Sequence, residues 1–174
     1  VLAGEVKAPG SFSYRTLEFI KNLSTDEAKR IERLSRFVIT DFIARDQRQI
    51  LAEEGISFQD LLEMQDLGVI SGVESIGLSI TLASVEQDKF VKALCAHGRV
   101  VMVKHSDPSK IFKVKAYALT SIGRQIMKLG NFTPNERYLL AVGEELKKAG
   151  AEVSIGDYKI ISEEEIRIFN EQKL

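Results

Sequence analysis

Tryptophan is missing from this 174-residue chain, cysteine occurs once, histidine twice and proline three times. A single cysteine forms no internal disulfide, so the composition fits a reducing cytoplasm better than a stapled secreted domain. No apolar run approaches the ~20 residues that span a bilayer, which argues against a membrane partner. The opening Val1-Leu-Ala-Gly-Glu5 has neither an initiator methionine nor a basic signal-type start, and it reads as part of a longer protein with its N-terminal region removed. A surplus of charge is lacking too. With 24 Lys and Arg against 25 Asp and Glu the formal net charge is −1, so any affinity for nucleic acid must come from a local patch. What the chain does have is 44% hydrophobic residues, enough for one domain with a real core, or one domain plus an appendage.

Capping signals set the helices. Ser11 or Ser13 can start a helix over 12–22, after Pro9 and Gly10 stop the helical end Val1 to Val6. Ser24-Thr-Asp-Glu27 is a full capping box for a helix over 25–42 with Ala28, Ile31, Leu34 and Val38 inward. Gln49 to Glu54 reads as a short helix ended by Gly55. Ser57 and Asp60 open a helix over 58–67, with Phe58, Leu61 and Leu62 apolar and Gly68 as its left-handed end. Thr120 caps 121–129, where Ile122, Ile126 and Leu129 share a face, and Thr133-Pro134-Asn135-Glu136 starts 134–149.

From Ile76 the period becomes two. Ile76 to Leu82, Val91 to Cys95, Val100 to Met102 and Phe112 to Ala116 predict a four-stranded meander within 76–119. Its turns fall at His97-Gly98 and Asp107 to Lys110. A small hairpin turning at Gly156-Asp157 and a last helix over 163–171 complete the chain. Residues 1–130 thus form an α+β domain, with 131–174 a helix–hairpin–helix appendage packed on it.

A short helix closed by Leu67-Gly-Val-Ile70, then strands, then Leu119-Thr-x-x-Gly123 resembles the winged-helix class, here with an enlarged antiparallel meander. The run Leu2-Ala-Gly-Glu-Val-Lys-Ala-Pro-Gly-Ser-Phe-Ser-Tyr-Arg-Thr16 is similar to the signature of an uncharacterised bacterial family, a domain of unknown function. The resemblance extends over most of the chain through Met64 to Ile70 and Leu119 to Gly123, with Met64 and Val69 as departures. It implies a fold and a bacterial origin, and it brings no catalytic residues.

Chemistry is scarce. Cys95, His97 and His105 look like a metal or nucleophile cluster, but a turn at His97-Gly98 puts Cys95 opposite Val100 and His105 opposite Phe90. That separates Cys95 from His105 by about five residues, or ~16 Å at ~3.3 Å per residue. Ligands ~2 Å from one zinc cannot lie so far apart. The glycines at 68, 72 and 77 lack the lysine of a phosphate loop, and Glu163 to Glu165 suit a helix N-terminus. The expectation is no enzyme, no metal and no cofactor.

Charge placement says more than total charge. Eight acids and no Lys or Arg lie between Glu53 and Asp88, and the helix that would enter a DNA groove carries Asp60, Glu63 and Asp66. Phosphates would repel it, so this acidic face is assigned to protein or solvent. Seven basic residues against one acid lie between Arg99 and Lys128. Of these, Arg99, Lys104, Lys110, Lys113 and Lys115 can contact phosphates or an acidic partner, as can Lys29, Arg33 and Arg36 on the 25–42 helix, with Arg30 beside them. Two functions follow. The first is a protein-interaction or oligomerisation module that lacks a DNA-reading helix. The alternative is a nucleic-acid binder docking through the basic hairpin and the helix stripe. Asp60→Lys with Glu63→Lys is expected to leave the fold intact.

Overall fold

Hydroxyl and carboxylate caps decide where the helices begin. Ser13 accepts the Thr16 amide and opens α1 (Tyr14–Asn22), and the reciprocal Ser24 and Glu27 box opens α2 (Thr25–Ser35). The structure is a computed structural model that describes residues 12–74, 78–162 and 165–174; Val1 to Ser11, Ile76 and the Glu163-Glu164 start of the expected last helix lie outside the described residues. On α2 the buried face is Ile31, Leu34 and Ser35, while Ala28 is exposed. Each such aliphatic side chain contributes about 1.5–3 kcal/mol relative to exposure.

The expected 25–42 helix stops at Ser35. Beyond it Phe37, Val38, Ile39, Phe42 and Ile43 are all buried, an all-round apolar run that no helix with one solvent face can hold. A tight turn at Thr40-Asp41 leads instead into β1 (Phe42–Ala44). A 3-10 turn (Arg45–Gln47), α3 (Arg48–Glu53) and α4 (Phe58–Asp66) follow. Ser57 and Asp60 form a complete capping box on α4, where Leu61 and Met64 are buried and Phe58 is 54% exposed instead of inward.

The two stretches around Gly68 and Thr120 are locked together. β2 (Ile70–Ser71) pairs with the end of β6 (Phe112–Leu119), Ile70 opposite Leu119. The Thr120 amide donates to the Val69 carbonyl at 3.1 Å, its hydroxyl donates to the Gly68 carbonyl, and the same oxygen accepts the Gly123 amide at 3.1 Å to start α5 (Ser121–Ile126). Gly123 lies so close to the Val69 carbonyl that no Cβ fits between them.

β6 is the centre of the first sheet. β1 flanks it on one side, and β2 and β3 (Ser79–Leu82) follow each other along the other side. The expected single meander divides here. β4 (Phe90–Ala96) and β5 (Arg99–His105) form a hairpin of their own, and the far side of β5 is taken by β7 (Glu152–Ile160), not by β6. Sequence adjacency suggested β5 beside β6, but the turn containing Pro108 carries the chain from one sheet to the other.

α6 (Glu136–Lys148) starts at Asn135, two residues after the expected Thr133 cap, and buries Leu139, Val142 and Leu146. β7 then runs straight through Gly156-Asp157, where a turn was expected. The last segment is strand β8 (Ile166–Lys173) rather than a helix, so the expected helix–hairpin–helix is a helix followed by a β-hairpin. Ile166 and Ile168 share a sheet face with Ile160 and Tyr158, a period of two that the preceding glutamates masked as a helix start. The second sheet therefore runs β4-β5-β7-β8, all antiparallel, and residues 131–174 supply half of its strands. The fold class is α+β, with a main core joining both sheets and the helices and a smaller separate cluster of Val91, Val100 and Met102 on the second sheet.

Candidate functional site

The basic stripe on α2 meets the acidic residues of its own chain. Arg30 pairs with Glu63 and lies 3.8 Å from Asp60, Arg36 reaches Glu54 at 3.2 Å, and Arg33 donates to the Gly55 carbonyl at 3.3 Å. The Ser57 hydroxyl, with the charges of Arg30 and Arg33 behind it, holds the Asp60 carboxyl below its usual range. Asp60 is thus both cap and ion-pair partner. Changing it with Glu63 to lysine removes both roles, at a cost of about 0.5–2 kcal/mol for the cap and about 0–1 kcal/mol for the exposed pair. Lys29 and Asp66 stand exposed without an ion pair among the described residues.

The strand cations are dispersed in the same way. Arg99 joins Asp157 at 2.6 Å and Glu136 at 2.8 Å, Lys104 joins Glu171 at 3.1 Å, and Lys115 reaches Asp46 at 3.4 Å. The Ser154 hydroxyl and Lys104 hold the Glu171 carboxyl low; Asn170 and Arg99 do so for Asp157. Lys110 sits 5.9 Å over the Phe112 ring. Lys113 projects with Lys115 from the face opposite Phe112 and Val114, and it has no ion pair among the described residues. Four of the eight candidate cations therefore face carboxylates, five in all, from five separate segments of the chain.

The β4–β5 register puts Cys95 opposite Val100 and Phe90 opposite His105, the expected hairpin. His97 and Gly98 both have positive φ, 46° and 91°, as a two-residue turn of this kind requires. Among the described residues no group of three or more His, Cys, Asp or Glu is placed to hold a metal ion. Nor is any described helix long and apolar enough to cross a membrane.

His97 is more than a turn residue. Its Nε2 donates to the Ser35 carbonyl at 3.0 Å and its ring meets Phe132 edge-on at 5.2 Å, which fastens the hairpin to the end of α2. Burial lowers its pKa from 6.5 against the opposing effect of that bond. The folded state then binds fewer protons than the unfolded one, so stability is complete above about pH 6.5 and falls as the pH drops through the folded value. Urea melts at about pH 7 and about pH 5 should show this loss, and His97→Asn, which tolerates the left-handed backbone, should reduce it. An unchanged pH slope in the variant would assign the loss to other groups.

Residues 1–51 match the model of a family described as a protein of unknown function (DUF2806). No curated protein and no solved structure matches the chain. The matched segment ends inside α3, so it contains the basic stripe of α2 and neither the acidic helix α4 nor the second sheet. It falls short of the coverage expected from the later Leu-Gly-Val-Ile and Leu-Thr-x-x-Gly stretches. Sequence reading did not assign Arg30 to Glu63, nor the tethering of β4 by Thr40. The four- and three-residue spacing of Lys29, Arg33 and Arg36, with Arg30 beside them, was visible, whereas the partner helix was not.

Proposed function

We propose that this chain is a non-enzymatic, bacterial, cytoplasmic protein-interaction or oligomerisation module on a winged-helix-like scaffold. The order α2, β1, α3, α4, β2 and β3, then β6 as central strand, supports the scaffold, with the β4–β5 hairpin inserted where a wing would be. The observation that carries the reading is the pairing of Arg30 with Glu63 and Asp60. In this scaffold α4 would be the groove-reading helix, yet it presents acids and turns two of them, Asp60 and Glu63, to the chain's own Arg30. Such a helix offers phosphates repulsion and bases few donors. Phe58, exposed at its start beside a groove lined by Arg48, Leu51, Ile56 and Leu61, is better suited to protein than to DNA.

Fluorescence anisotropy with duplex DNA and single-stranded RNA, across a salt series, tests this. The expected result is binding no tighter than the ~10⁻⁴–10⁻⁶ M of non-specific phosphate contact at physiological salt. A submicromolar, steeply salt-dependent Kd that Lys113→Glu with Lys115→Glu abolishes would replace this reading with docking through the basic hairpin.

A further inference from the structure

The second sheet protects one of its edges and, among the described residues, leaves the other open. On β4 the Thr40 amide donates to the Cys95 carbonyl at 2.6 Å and the Thr40 hydroxyl accepts the Cys95 amide at 3.2 Å. Thr40 does this from φ 56°, an unfavourable backbone for a β-branched residue that the tether holds in place. Val85 donates to the Val91 carbonyl at 2.9 Å, and Ser84 Oγ accepts the Val91 amide at 3.0 Å. The outer edge of β4 is therefore occupied at both ends.

β8 has no such cover among the described residues. Tyr158 donates its amide to Gly98, away from β8, so Tyr158 and the opposing Ile168 are a pair whose backbone groups point away from each other. By alternation Ile168 and Ile166 present their N–H and C=O groups to the outside, and no hydrogen bond reaches them among the described residues. The regular stretch ends at Asn170, where φ is 54° and the register shifts. Within Ile166 to Phe169 there is neither proline nor lysine, the usual blocks on an edge. Ile166 and Ile168 lie on the same face as Ile160, which is 71% exposed, and this stripe continues the buried patch of Val91, Val100 and Met102.

We propose that β8 pairs with β8 of a second copy, antiparallel and centred on Ile168, joining two four-stranded sheets into one. This names the surface for the self-association branch of the function proposed above and rests on it. Centring on Ile168 makes the two outward-facing Ile168 residues exchange both backbone hydrogen bonds and sets their side chains side by side. It places Arg167 opposite Phe169 of the second copy, a cation near an aromatic ring. Centring on Arg167 would oppose two guanidinium groups, and centring on Phe169 would put the irregular Asn170 next to the middle of the ladder, whereas centring on Ile168 keeps it at the end, opposite Ile166. Because a two-fold pairing uses β8 twice and β4 is closed, association stops at a dimer and does not extend into a fibre.

Sedimentation equilibrium on the full chain, with Ile168→Pro and Ile168→Lys, is the test. Proline removes an amide that does not bond β7, and lysine sets two ammonium groups together at the centre of the pairing while keeping the amide. The expected result is a wild-type dimer whose dissociation constant rises at least about tenfold, ~1.4 kcal/mol, in each variant that still melts cooperatively. A wild-type chain that stays monomeric across the concentration range overturns the inference. A dimer unaffected by both folded variants also overturns this edge, but leaves the self-association reading standing, because that reading fails only on the nucleic-acid titration.

Discussion

Gly123→Ala is expected to lower the melting temperature by about 6–12 °C, the consequence of a loss of about 3 kcal/mol in a chain of this size. The added methyl would sit inside contact distance of the Val69 carbonyl, with the Leu119 side chain also within 3.3 Å. The obstacle is backbone, and that carbonyl also accepts the Thr120 amide, so α5 cannot retreat without breaking the bond that joins it to the end of α4. Gly68→Ala is the control. Gly68 has φ +76° and nothing within 4 Å of its would-be Cβ, so only the left-handed strain of about 1 kcal/mol, roughly 2–4 °C, applies there. Calorimetry that finds equal losses in the two variants would show that close approach is not what Gly123 provides.

That junction was legible in the sequence because its signals are local. Gly68 ends one helix, Thr120 caps the next, and each works through atoms within three or four residues. The same holds for Ser24 with Glu27, for Ser57 with Asp60 and for the His97-Gly98 turn, which the structure places where the residues implied. What failed was non-local. Whether β5 continues to β6 or to β7 depends on a strand fifty residues later, and no periodicity within β5 carries that information. Ile166 to Phe169 alternates like a strand, but glutamates before it are equally good at a helix N-terminus, and only β7 alongside decides between them. Phe37 to Ile43 misled for a related reason: Phe37, Val38, Ile39, Phe42 and Ile43 are all buried on either side of the Thr40-Asp41 turn, so they carry no helical phase to read.

The candidate site was legible in composition and not in geometry. Eight acids without a base, followed by seven bases with one acid, suggested two charged surfaces that act on something else. In the fold each block finds partners elsewhere in the chain: Glu63 and Glu54 meet Arg30 and Arg36, while Lys115 and Lys104 meet Asp46 and Glu171. Exposed pairs of this kind add only about 0–1 kcal/mol each to stability. Their larger effect is on recognition, since an arginine already facing a carboxylate must give up that partner to hold a phosphate.

Two buried tyrosines should respond in opposite directions to the same change. Tyr138→Phe is expected to destabilise the protein by about 1–3 kcal/mol, whereas Tyr117→Phe should be neutral or stabilising by up to about 1 kcal/mol. Both side chains are fully buried, so the ring contribution is kept in each case and only the hydroxyl is tested. The Tyr138 hydroxyl accepts the amide of Ala44 on β1, tying α6 to the first sheet, and burial pushes its pKa well above the usual range, so it stays protonated. Removing it leaves the Ala44 amide buried without a partner, while the ring keeps its edge-on contact with Phe37 at 5.3 Å. The Tyr117 hydroxyl, next to β1 on β6, is buried and has no hydrogen-bond partner among the described residues. There phenylalanine removes a desolvated polar group and breaks nothing. Denaturant melts of the two variants should therefore bracket the wild type, and a loss in Tyr117→Phe as large as that in Tyr138→Phe would mean that its hydroxyl has a partner in solution.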